Sequence, residues 1–149
     1  MEGPGGPREA ARTAGREGTL ENRSDFHEEV EKLTERDPRY RAEAYSFLMF
    51  ALGYTVSRLP EPRHVSGQEL LEGIRRYALQ EFGPMAKTVF EHWGLRETLD
   101  FGHIVFNLVD AGLLGRTESD RLEDFAQGYD FEAAFVRDYP WSAPLERAE

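Results

Sequence analysis

The chain reads as an all-α protein of five to seven helices, and three observations carry that expectation. Apolar residues recur at helical spacing in one segment after another. Helix-starting residues (serine, aspartate, proline) precede these segments and glycines follow them. The stretches between them leave room for at most one small β-hairpin. The chain has 149 residues with 40% apolar composition, enough for one domain and one core. Ten Phe, six Tyr and two Trp supply most of the core's bulk.

Almost no apolar residue lies before Phe26. Residues 1–23, rich in Gly, Pro, Arg and Glu, therefore read as a disordered tail, and residues 24–149 as a single helical domain. A first helix is expected over Asp25–Glu35, with Phe26, Val30 and Leu33 on one face. A second is expected to open at Asp37-Pro38, an N-cap with proline behind it, and to run to Ser57. It is apolar nearly all round, as suits a central helix. The third has the clearest start. Ser66-Gly67-Gln68-Glu69 is a capping box, and Leu70, Leu71, Ile74, Tyr77, Ala78 and Phe82 then form one stripe up to Gly83. A short fourth helix over Pro84–His92 ends at Gly94, and a fifth over Asp100–Ala111 ends at Gly112. A sixth is expected from a cap at Ser119 or Asp120 to Gln127. A last turn or two over Phe131–Asp138 ends at Tyr139-Pro140-Trp141.

Composition narrows the function. The formal net charge of -10 repels phosphate backbones over a Debye length of about 8–10 Å. Nucleic acid and anionic membrane surfaces are therefore poor partners, and a protein with a basic surface is the better one. The chain has no cysteine, which removes thiolate chemistry, disulfides and zinc-thiolate sites. No export signal is seen, and the longest apolar run, Ala44–Val56, is far short of the roughly 20 residues a membrane span needs. A cytoplasmic location is the expectation.

Four features could carry function. From Ala86 to Arg116 the order is short helix, Gly94 turn, second helix, then Gly112-Leu113-Leu114-Gly115-Arg116, a layout shared with winged-helix domains. The outer face of the fifth helix should present Asp100, His103, Asn107 and Asp110. That stripe has donors for metal or acid–base work, but it has the spacing of an ordinary solvated face and lacks the basic groups that hold phosphates. Arg63 and His64 precede the third helix, where free N–H groups favour an anion. Finally, residues 117–138 carry seven acids against Arg121 and Arg137, interleaved with aromatics including Tyr129 and Phe131. Such a stretch suits docking on a basic protein surface, or else its aromatics close the core while its acids face water. No Walker loop, GxGxxG, HExxH, GxSxG or kinase signature is present, so neither cofactor nor metal is expected.

Several blocks occur together and in order: Asp37-Pro38-Arg39-Tyr40, Arg63–Arg75, Phe82–Ala86, Trp93-Gly94, Asp100-Phe101-Gly102, Ile104-Val105-Phe106, Gly112-Leu113-Leu114 and Gly128–Phe131. In these the chain resembles the Minf-type family, a small bacterial family known by a locus-tag name, over about Phe26 to Phe135. The resemblance implies a bacterial origin and no particular activity. The functional reading is a non-enzymatic regulatory or adaptor module that binds another protein, with Arg63, His64, Asp100, His103, Asn107, Tyr129 and Phe131 as its candidate surface. Two alternatives stay open. One is a winged-helix-derived nucleic-acid binder with a basic patch assembled from Arg58, Arg63, Arg75, Arg76 and Arg116. The other is an enzyme using His64 or His103 with a carboxylate.

Overall fold

A computed structural model describes residues 20–115, 121–126 and 128–137, with side chains from Asp25 onward. Among the described residues five α-helices follow one another: α1 (Leu20–Arg36), α2 (Ala42–Ser57), α3 (Gly67–Phe82), α4 (Ala86–His92) and α5 (Thr98–Asp110). Gly83–Met85 is a 3-10 turn between α3 and α4. A second 3-10 turn, Leu122–Phe125, and a wide π-type segment, Ala133–Arg137, follow α5. No strand is present among the described residues, so neither a hairpin nor a wing appears among them. Residues 1–19, the Ser119–Asp120 cap, Gln127 and the Tyr139–Trp141 stop lie outside the described residues. None of the helices described is long and apolar enough to cross a membrane.

The all-α expectation is met, but the starts of α1, α2, α4 and α5 differ, and among the described residues the 3-10 turn Leu122–Phe125 stands where a sixth helix was expected. α1 starts at Leu20, inside the segment read as tail. α2 starts at Ala42 rather than at Asp37-Pro38, and its N-cap Arg41 makes no side-chain capping bond. The reason is that Asp37 is already committed. Its amide continues the last turn of α1 by donating to the Leu33 carbonyl (2.8 Å), and its carboxylate binds other side chains. Pro38 then serves a turn between two helices, not a helix start.

α2 packs on α1, α3 and α5. Its contact with α3 is made close by Gly73, where an added Cβ would collide with the Thr55 hydroxyl. Thr55 is itself buried, and its hydroxyl bonds back to the Ala51 carbonyl (2.8 Å). α3 opens as its sequence requires. Ser66 Oγ accepts from the Glu69 amide (3.0 Å), and the Glu69 carboxylate accepts from the Ser66 amide (2.8 Å).

Phe90 of α4 is the hub of the core. It is fully buried, and its ring lies 5.2–5.6 Å from those of Phe47, Phe101, Phe131 and Phe135. Edge and tilted pairings of this kind add to the roughly 1.5–3 kcal/mol that burial of each large apolar side chain contributes.

Residues 121–126 and 128–137 form a strap across α3 and α5. Phe125 inserts its ring between the two helices at glycines: a Cβ on Gly67 would lie 3.2 Å from that ring, and one on Gly102 2.9 Å. Thr98, 2% exposed, ties the strap down. Its hydroxyl donates to the Phe125 carbonyl (2.6 Å) and accepts from the Gly128 amide (2.9 Å). Tyr129 then donates its hydroxyl to the Leu71 carbonyl on α3 (2.8 Å).

Candidate functional site

The stripe expected to face water on the fifth helix does not. Asp100, His103 and Asn107 are half-buried on α5, turned toward the α1–α2 turn, while Asp110, one turn further on, is exposed. Two backbone features bring the turn there. The Arg41 amide donates to the Trp93 carbonyl (3.1 Å). Gly94, at φ +94°, leaves the space that the Arg39 carbonyl occupies, and no side chain would fit at that position.

A polar cluster forms where these pieces meet. Arg39 forks onto Asp37, with Nε donating to Oδ1 and an outer nitrogen to Oδ2, both at 2.8 Å. Asn107 donates from the same amide nitrogen to Asp37 Oδ2 (2.9 Å) and to the Tyr45 hydroxyl (3.0 Å). The buried Tyr40 donates its hydroxyl to Asp100 Oδ1 (2.6 Å). The other Asp100 oxygen accepts from the amides of Arg96 (2.8 Å) and Glu97 (3.1 Å), which closes the start of α5. The Arg39 guanidinium also lies over the Tyr40 ring, 5.0 Å from its centre.

The electrostatics follow from these bonds. The Arg39 guanidinium holds the Asp37 carboxyl well below the usual carboxylate range, against a smaller opposing effect of burial. Burial, and then the neighbouring Asp100 carboxylate, push the Tyr40 phenol well above its ordinary value, so it is a fixed donor at any physiological pH. Burial likewise raises Tyr45. His103 stacks on Tyr40 with ring centres 6.5 Å apart and planes 24° apart, and its imidazole makes no hydrogen bond or ion pair among the described residues.

Both carboxylates of the cluster are engaged. General acid–base work needs a carboxylate or imidazole with a free lone pair facing a substrate. Here Asp37 is clamped by Arg39 and Asn107, and Asp100 by Tyr40 and two amides. His103 faces a ring rather than a carboxylate. Among the described residues no three His, Asp or Glu side chains are grouped to hold a metal ion.

The remaining candidates fall elsewhere. Arg63 is not available to an anion: its guanidinium forks onto Glu69 (3.0 and 2.9 Å) and also donates to the His64 carbonyl (2.9 Å). That pairing holds Glu69 down at about 2, and the Glu69 amide at the start of α3 is already taken by Ser66. His64 is exposed beside it. Tyr129 and Phe131 were expected on a docking surface, but they belong to the interior. Phe131 is 4% exposed and packs on Phe90, Phe101 and Phe135, while Tyr129 is held by Leu71. Of the basic patch, Arg63 is paired with Glu69, Arg75 and Arg76 both bind Glu72, and Arg58 lies over the Tyr54 ring. Arg116 lies outside the described residues.

Asp37, Tyr40 and Tyr45 are not legible in the sequence as members of the cluster, because their partners Asp100 and Asn107 lie 60–70 residues away along the chain, and Arg39 joins only through Asp37. Also not singled out is Phe50, which stands 64% exposed on α2. The signal there was a side of α2 made of Ser46, Phe50, Gly53 and Ser57, three small residues around one phenylalanine. No family model, no curated protein and no solved structure matches the chain.

Proposed function

We propose that the protein is a non-enzymatic regulatory or adaptor module that acts by binding another protein with a basic surface. The observation that carries this is the engagement of the cluster's carboxylates: Asp37 is taken by Arg39 and Asn107, and Asp100 by Tyr40 and two backbone amides. What the surface does present is negative charge. The strap turns Phe125, Phe131 and Phe135 inward and leaves Glu123 and Glu132 exposed, on a chain of net charge -10. A field of this sign steers basic partners and repels nucleic acid. Membership of the Minf-type family is part of the same proposal and adds no activity to it.

The test is affinity capture from nuclease-treated lysate with the full chain as bait. The expected result is a protein partner whose capture weakens as salt rises and falls at least about fivefold for Glu123→Lys/Glu132→Lys. Circular dichroism of that variant should match the parent, since both side chains are exposed. Capture that requires nucleic acid, or that ignores both salt and charge reversal, overturns the proposal.

A further inference from the structure

We infer that the ring patch of Tyr77, Phe82 and Trp93 docks a proline-rich segment of another protein. The segment binds as an extended polyproline II helix, with a basic residue beside Glu81. None of the strap's acids belongs to this patch.

Three rings stand around a buried fourth. Phe47 of α2 is 5% exposed, and the rings of Tyr77, Phe82 and Trp93 lie 5.5, 5.7 and 5.8 Å from it. All three are partly exposed, so each packs on Phe47 and still reaches solvent. Phe82 and Trp93 meet edge to face, 5.8 Å apart. Rings so placed are the kind of surface on which proline side chains pack. Tyr54 adjoins Tyr77, but Arg58 lies over its ring at 5.3 Å and ends the patch there.

Hydrogen bonding narrows the occupant. The Tyr77 hydroxyl and the Trp93 ring N–H make no hydrogen bond among the described residues, and both can donate. A backbone with free carbonyls and few N–H groups suits such a surface. An α-helix has spent its carbonyls within itself. A β-strand brings N–H groups that need the edge of a sheet, and no strand is present among the described residues. Polyproline II has no internal hydrogen bonds, and each proline lacks an N–H. The spacing agrees. Tyr77 and Trp93 both lie on Phe47, which places their rings at most about 11 Å apart. One three-residue turn of polyproline II rises about 9 Å.

Charge fixes the rest. Glu81, one turn after Tyr77 on α3, is exposed and makes no ion pair among the described residues. Its carboxylate adds to burial in raising the Tyr77 phenol, so the two face the same place. On a chain of net charge -10 a ligand cation is drawn there, held by a carboxylate and a ring together.

The probe is a fluorescein-labelled peptide of three Pro-Pro-Arg repeats, titrated with the full chain in about 150 mM salt and followed by anisotropy. Sub-millimolar binding is expected. A peptide of three Gly-Gly-Arg repeats, equal in charge but flexible, should bind at least about fivefold more weakly. Tyr77→Phe, which deletes only the hydroxyl, should weaken binding about three- to tenfold, and Glu81→Gln about two- to fivefold, both with unchanged helicity. Glu123→Lys/Glu132→Lys should leave the affinity within about twofold, which separates this patch from the strap. Absence of binding at millimolar chain overturns the inference, as does equal binding of the Gly-Gly-Arg peptide. So does an affinity that Tyr77→Phe or Glu81→Gln leaves unchanged, or one that falls as far in the strap variant as in Glu81→Gln.

Discussion

Replacing Thr98 by valine removes one hydroxyl and leaves the shape of the side chain almost unchanged, so it isolates the polar tie that holds the strap. The Thr98 hydroxyl serves two backbone groups, donating to the Phe125 carbonyl and accepting from the Gly128 amide. Phe125 is buried, and its carbonyl loses its partner outright. Such a group costs about 1–3 kcal/mol to leave unsatisfied. Gly128 is exposed, so water recovers much of its share. The expected loss is about 2–3 kcal/mol. At roughly 3–5 °C per kcal/mol for a chain of this size, Tm falls about 10 °C. Thr98→Ser keeps the hydroxyl and gives up only a methyl group, so its loss should be about 1 kcal/mol. Urea unfolding followed by circular dichroism measures both. If Thr98→Val is within 0.5 kcal/mol of the parent, or no worse than Thr98→Ser, the strap is not held by this residue and the account is refuted.

Phe90→Ala removes the hub ring and should cost about 3–5 kcal/mol in the same assay. Gly73→Ala should be at least as damaging as an ordinary core truncation, about 2–4 kcal/mol, because its Cβ collides with the Thr55 hydroxyl and drives α2 and α3 apart. Gly53→Ala, whose Cβ would meet nothing within 4 Å, should instead stabilise the fold by about 0.5–1 kcal/mol. Asp37→Asn should cost about 1–2 kcal/mol at pH 7, discounted because Arg39 is half exposed. Since the folded Asp37 carboxyl titrates below its ordinary 3.8, its contribution is complete above that value and disappears as pH falls through the folded one. The deficit of Asp37→Asn against the parent should therefore narrow below pH 4, as urea titrations at pH 7 and pH 3 would measure. A constant deficit would contradict it.

How much of this was readable from the chain depends on how local each determinant is. The start of α3 needs only Ser66 and Glu69, three residues apart, and it stands where the sequence puts it. The ends at Gly94 and Gly112 likewise rest on single residues, both with positive φ. Asp37-Pro38 failed as a helix start because the Asp37 amide extends α1 and its carboxylate is taken by Arg39, two residues on, and by Asn107, 70 residues away. The stripe Asp100, His103, Asn107 has the period of a solvated helix face, and period cannot distinguish water from a polar turn docked over it. The strap was the hardest case. A sixth helix and a last helical turn are expected there, and its aromatics could be anchors for a partner or a lid for the core. What decides between these is the pair of glycines that admit Phe125, Gly67 and Gly102, which belong to two different helices and become one slot only in three dimensions.

The same long-range pairing bears on function. A histidine, two aspartates, an asparagine, an arginine and two tyrosines within two packed segments would ordinarily suggest catalysis. In this cluster the two carboxylates are held by Arg39 and Tyr40, so the hydrogen bonds run between the members. The cluster joins the α1–α2 turn to α5 and so fixes the direction in which α2 leaves that turn. It thereby fixes which side of α2 faces outward, the side that carries Phe50 and Gly53. Loosening the cluster, as Asp37→Asn does, should for this reason loosen the α1–α2 turn before the rest of the fold is lost. Amide exchange at Arg41, whose N–H is held by the Trp93 carbonyl, should then quicken at neutral pH. An unchanged rate would mean that the cluster does not hold the turn.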